Sequence, residues 1–146
     1  MINRMLVPVD GSEHSRNALE FACDLAKKYK AKMRLLHVVQ APSGSHTLVL
    51  GATAISVQTT REQLQEIGHK IIEAARQYAE GLGCHDVDTQ IEGGPPAHQI
   101  LRCARENEVD MIVMGSRGLN SVTGLLIGSV SLKVSHLAEC TCITVR

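Results

Sequence analysis

The sequence predicts an α/β fold in which a parallel sheet of five strands carries helices on both faces. Short apolar runs alternate with segments whose apolar residues recur every three or four positions, the pattern of consecutive β-α-β units. The first and fourth runs, Met5 to Val9 and Met111 to Met114, are apolar throughout, as strands are when helices cover both faces of their sheet. A length of 146 residues, 44% of them hydrophobic, suffices for one well-filled core, so residues 1–146 read as a single domain.

The elements follow in order. Met5 to Val9 ends at Asp10-Gly11-Ser12, where Ser12 is the expected N-cap of a helix marked by Ala18, Ala22, Leu25 and Tyr29 and ending near Lys30. Met33 to Val39 is the second strand. Gln40 to Thr60 is rich in Pro, Gly, Ser and Thr without a clean period and reads as a flexible flap, with its most apolar part, Leu48 to Val57, a loop or lid. Leu64, Ile67, Ile71, Ala75, Tyr78 and Leu82 mark a long amphipathic helix that Gly81 and Gly83 are placed to end. Val87, Thr89 and Ile91 alternate with polar neighbours, the pattern of an edge strand. Gly93-Gly94-Pro95-Pro96 turns into a helix carrying Ala97, Ile100, Leu101 and Ala104. After Met111 to Met114 come a glycine-rich stretch, a helix with Val130, Val134 and Leu137 on one face, and a fifth strand, Thr141 to Val145.

Composition narrows the function. Fifteen basic residues balance fifteen acidic ones, so no net positive field draws the molecule to nucleic acid or an anionic membrane. Phe21, Tyr29 and Tyr78 are the whole aromatic complement, too few for the stacking platforms of single-strand binders. Leu48 to Val57 is about half the length of a membrane span, and the opening residues lack a signal-peptide core, which predicts a cytoplasmic protein. Cys23, Cys84, Cys103, Cys140 and Cys142 show neither a C-x-x-C pair nor metal-ligand spacing and read as reduced thiols.

The chemistry concentrates between the fourth strand and the helix after it. Gly115-Ser-Arg-Gly118 is followed by nine residues and then Gly128-Ser129-Val130-Ser131. Phosphate oxygens need backbone N–H groups that approach without Cβ obstruction, and a helix N-terminus supplies such donors with a favourable dipole. Ser129 and Ser131 add hydroxyl donors, and Arg117 a positive charge. No Lys lies between Gly115 and Gly128, and neither a Walker A nor a G-x-G-x-x-G pattern is present, so the loop is suited to holding phosphates more than to transferring them. His37, at the end of the second strand, reads as a hydrogen-bonded core residue.

Gly115, Gly118, Gly128 and Ser129 match the G-x2-G-x9-G-[ST] pattern of the ATP-binding branch of the universal stress protein family. The resemblance extends to Met-Leu-Val-Pro-Val-Asp-Gly-Ser at the start, Leu-Leu-His-Val-Val in strand two and Val-Asp-Met-Ile-Val-Met-Gly-Ser-Arg-Gly around strand four. It implies a sheet of order 3-2-1-4-5 with ATP across the carboxyl ends of strands one and four, where open α/β sheets bind ligands. By position it implies an adenosine slot formed by Pro8, Val9, Asp10 and Val38. Val9 and Val38 would sandwich the base and lend backbone groups to its edge, and Asp10 would accept from ribose or base. Met114, Gly115, Arg117 and Gly118, with Gly128, Ser129, Val130 and Ser131, would take ribose and phosphates, and Mg²⁺ would arrive on the phosphates.

The resemblance also implies a homodimer through Thr141 to Val145, although Cys140-Thr141-Cys142 stands where family members often carry Cys-Pro-Val. The implied role is a nucleotide-dependent stress-response or signalling module that meets a regulatory protein partner, and the resemblance also makes Ser116 and Ser121 candidate phosphorylation sites. The alternative is a slow ATPase or phosphotransferase using Asp10 as base in the same crevice.

Overall fold

The computed structural model describes residues 1–40, 46–50, 53–57, 60–119 and 127–146, with the backbone alone described at 46–50 and 53–57. Along the chain the elements are β1 (Arg4–Pro8), α1 (Glu13–Tyr29), β2 (Lys32–Val39), β3 (His46–Leu50), β4 (Thr53–Val57), α2 (Arg61–Gly81), β5 (Val87–Gly93), α3 (Pro96–Glu106), β6 (Met111–Gly115), α4 (Ser129–Leu137) and β7 (Thr141–Val145). Five of the strands form one parallel sheet in the order β5-β2-β1-β6-β7, which is 3-2-1-4-5 when the sheet's own strands are numbered along the chain.

The uninterrupted apolar runs have a direct cause. Successive side chains of a strand point to opposite faces, so a strand between two helical layers needs apolar residues at every position. Met5 and Val7 enter a core with Ala18, Leu19, Ala22 and Ile72 from α1 and α2, whereas Leu6 enters the opposite core with Ile100, Cys103 and Val134 from α3 and α4. The helix starts are set locally. The Ser12 hydroxyl accepts from Ser15 N–H at 3.2 Å, and Thr60 forms a reciprocal capping box with Gln63. Among the described residues no helix is long and apolar enough to cross a membrane.

The flap departs from expectation. Within Gln40 to Thr60, β3 and β4 pair antiparallel, His46 opposite Val57 through Leu50 opposite Thr53, so the segment read as loop or lid contains a hairpin. Its strands carry Thr, Val and Ile around a two-residue connection that begins with Gly51, a combination that favours hairpins. The remainder of the flap, 41–45, 51–52 and 58–59, lies outside the described residues.

Candidate functional site

β1 and β6 are neighbours at the centre of the sheet, and their following helices leave on opposite faces, α1 toward one core and α4 toward the other. In doubly wound sheets such a divergence leaves a crevice at the carboxyl ends of the two strands, the place where they take ligands. Pro8, Val9 and Asp10 arrive there from β1, Val38 from β2, Met114 and Gly115 from β6, and Gly128 through Ser131 from the start of α4. The crossing is bridged by Asp10, whose Oδ2 accepts from Leu119 N–H at 3.3 Å and whose Oδ1 accepts from Ser12 N–H at 2.9 Å. Asp10 therefore starts a turn and also reaches the glycine loop.

The glycines of the loop answer to space more than to backbone freedom. Positive φ angles occur at Gly11, Gly83 and Gly94 among the described glycines, and at none of the three in the motif. A Cβ on Gly115 would lie 2.8 Å from the His14 carbonyl carbon and 2.9 Å from Ser15 N, so β6 can touch the first turn of α1 only as glycine. On Gly118 it would lie 2.7 Å from Asp10 Oδ2. Gly128 differs: its backbone, φ −73° and ψ 159°, suits any residue, and among the described residues a Cβ would meet nothing closer than Ser116 O at 3.4 Å. Packing among the described residues thus accounts for Gly115 and Gly118 and does not account for Gly128.

At Gly128 α4 begins with no capping side chain, so Ser129, Val130 and Ser131 present the first N–H groups of the helix. Ser129 is exposed and Val130 half-buried. Ser131 corrects the expectation of a hydroxyl donor for the ligand. Its side chain is buried, and its Oγ donates to Ser116 O at 2.8 Å and lies 3.0 Å from Gly128 O. Ser116 is the organising residue that the sequence reading missed as such: its N–H donates to Val145 O, and its carbonyl accepts from Gly128 N–H, both at 2.6 Å. With 2% of its surface exposed, Ser116 is closed to a modifying enzyme, while Ser121 lies outside the described residues, as does the rest of 120–126.

Val9 corrects a second expectation. Its N–H donates to Leu36 O at 2.8 Å and its carbonyl lies 2.8 Å from His37 Nδ1, so both backbone groups meant for a base edge are taken within the protein. A carbonyl only accepts, so His37 carries its proton on Nδ1. Val9 and Val38 lie on opposite faces of the sheet, Val9 in the core beneath α1 and α2 and Val38 against the core beneath α3 and α4. The Met114 side chain is buried in that second core, and Pro8 and Arg117 are half-buried at the rim.

All five cysteines are free thiols. Burial, reinforced by the adjacent Cys84, pushes the Cys23 thiol up to about 12. Among the described residues no three His, Cys, Asp or Glu side chains gather as a metal site.

Comparison with known proteins gives a consistent picture. The model of the universal stress protein family matches residues 1–146. Universal stress protein YxiE of Bacillus subtilis is 37% identical over 149 aligned positions, covering 100% of both chains. The structure of universal stress protein UspA from Lactobacillus plantarum superposes with a TM-score of 0.74 at 27% identity, covering 99% of this chain and 97% of that one. Two further structures share the fold: a universal stress protein in complex with cAMP (TM-score 0.73, 23% identity, 99% and 97% covered) and a family protein from Arabidopsis thaliana with AMP bound (TM-score 0.65, 21% identity, 98% and 90% covered).

Proposed function

This chain belongs to the universal stress protein family, and we propose that it is an ATP-binding member, a cytoplasmic stress-response or signalling module that holds the nucleotide without cleaving it efficiently. The observation that carries the reading is the start of α4. Gly128 leaves open a volume that its own surroundings would let a Cβ fill, directly where α4 presents uncapped N–H donors. That is the chemistry of a phosphate site. Two fold neighbours hold adenine nucleotides, which supports the same class of ligand here.

The residues divide by role. Ser129, Val130 and Ser131 offer backbone N–H groups to the phosphates, Gly128 leaves their approach open, Ser129 adds its hydroxyl, and Arg117 adds charge. Asp10 accepts from the ribose, Pro8 and Met114 flank the sugar, and Gly115 and Gly118 keep the loop close to α1 and Asp10. Val38 takes the base edge. Mg²⁺ held by the phosphates would neutralise part of their charge. With no lysine between Gly115 and Gly128, little positive charge is available for a phosphoryl-transfer transition state. The free edge of β7 at the end of the sheet suits pairing with a second copy through Thr141 to Val145.

Isothermal titration of the folded protein with Mg-ATP tests the reading, and mass spectrometry of nucleotide released from freshly purified protein identifies the resident ligand. Saturable ATP binding with negligible turnover is the expected result. Absence of binding at millimolar ATP overturns it.

A further inference from the structure

The β1–β2 ladder stops one bond early, where a histidine side chain lies at the next carbonyl. In a parallel pair, a residue that donates its N–H to one position of the neighbouring strand accepts at its carbonyl from the N–H two positions further on. Val9 N–H donates to Leu36 O at 2.8 Å, so regular pairing would bring Val38 N–H to the Val9 carbonyl. Instead that carbonyl lies 2.8 Å from His37 Nδ1, and the register between the two strands ends at Pro8 opposite Leu36. On its other edge β2 stays paired further, to Val39 opposite Gly93. The backbone groups of Leu36 and Val38 face the same side, because their direction alternates along a strand. Val38 N–H and C=O therefore point past the end of β1 into the crevice.

We propose that His37 is a positioning residue for base recognition: by holding the Val9 carbonyl, it keeps the Val38 N–H and C=O open to read the Watson–Crick edge of an adenine. This rests on the reading of the crevice as an adenine-nucleotide site. A backbone donor beside a backbone acceptor complements adenine, which offers an acceptor at N1 and a donor at N6. Guanine offers the reverse, a donor at N1 and an acceptor at O6, and is rejected. The same two backbone groups thus set the nucleotide class. The ring is held in place from α2, where Gly68 lies over it: a Cβ there would be 3.0 Å from His37 Cδ2 and 3.1 Å from Val39 Cγ2.

The test combines amide hydrogen exchange, read by NMR, with titration of Mg-ATP and Mg-GTP. In wild type without nucleotide the Val38 amide should exchange freely and become protected when ATP is added, with GTP a poor ligand. His37→Leu removes the donor, so the Val38 amide should become protected without nucleotide and ATP should bind about five- to tenfold more weakly, the weight of one hydrogen bond. His37→Asn places an amide nitrogen where Nδ1 stood and should restore wild-type behaviour. His37→Gln places it further out and should behave as His37→Leu, which keeps the comparison available if the leucine variant does not fold.

A Val38 amide already protected in nucleotide-free wild type, or ATP affinity unchanged in both His37→Leu and His37→Gln, overturns the proposal. Wild type that binds no ATP defeats the adenine-site reading and with it base recognition, whereas the exchange rates still decide whether His37 stops the ladder.

Discussion

Replacing Gly115 and Gly128 by alanine separates the two reasons a glycine stands in this loop. At Gly115 the added methyl would meet the His14 carbonyl carbon at 2.8 Å and Ser15 N at 2.9 Å, both backbone atoms in the first turn of α1. Ordinary contact begins near 3.4 Å, so the strand end and the helix must part by about half an ångström. Neither yields easily: Gly115 is paired with Val145 of β7, and Met111 to Met114 are buried. Overpacking of this kind costs about 1–3 kcal/mol. For a chain of this length that is a fall in melting temperature of roughly 3–9 °C.

At Gly128 the closest atoms stand at 3.4 and 3.5 Å and the backbone suits alanine. The stability cost there is the weaker N-cap, under about 1 kcal/mol. ATP affinity should nevertheless fall at least about tenfold, because the methyl occupies the approach to the α4 donors. Thermal unfolding of the nucleotide-free variants, followed by titration with Mg-ATP, reads both effects. The reasoning is refuted if Gly128→Ala melts as low as Gly115→Ala, or if it binds ATP like wild type.

Three further outcomes are expected. Gly118→Ala, whose methyl would sit 2.7 Å from Asp10 Oδ2, should leave stability within about 0.5 kcal/mol because a carboxylate swings aside. It should still weaken ATP binding, and unchanged affinity would show that Asp10 has no part in the site. A thiol reagent at pH 8 should label at most Cys140 and Cys142 in the native protein and all five cysteines in denaturant, since burial raises Cys23 to about 12 and pushes Cys84 and Cys103 up as well. Rapid native labelling of Cys23 would contradict this. The backbone N–H groups of Asn3 and Arg4, both bonded to Asp110 Oδ2, hold its carboxyl below the usual carboxylate range. The stability this supplies is present above the unfolded value and is lost as pH falls below about 4, so Asp110→Asn should flatten the acid limb of a stability profile. An unchanged acid limb would show that the bonds contribute nothing.

What was legible in the sequence is what local pattern controls. Met5 to Val9 and Met111 to Met114 declare their strands because every residue enters one of two cores, and Ser12 declares its helix because its hydroxyl caps the turn that follows. The β3–β4 hairpin was obscured by the Ser, Thr and Gly residues that surround it. The motif glycines were legible as a pattern, but their causes were not: the obstacle to a side chain at Gly115 is α1, which begins 102 residues earlier at Glu13 (115 − 13). Val9 was misjudged for a similar reason. The group that takes its carbonyl is a side chain 28 positions away, and no local rule reveals that. Ser131 lost its assigned role to a carbonyl 15 positions away.

These long-range bonds bear on how the loop works. Ser116 is tied to the end of β7 through Val145 O, and its carbonyl holds both Gly128 N–H and the Ser131 hydroxyl. The two ends of the G-x2-G-x9-G-[ST] segment are therefore fastened to each other by the protein alone. On the proposed reading, a phosphate would meet donors already in position, and part of the ordering entropy that a loose glycine loop would spend on binding would have been met in folding. Fastened ends also explain why Ser131 gives up its hydroxyl. As the third residue of α4 it would add one donor to the ligand, but by bonding Ser116 it fixes the direction of the backbone N–H groups beside it. On the proposed reading, a rigid grip of this kind would favour tight holding, and with no lysine between Gly115 and Gly128 to follow charge onto a leaving group, it would favour holding over cleavage.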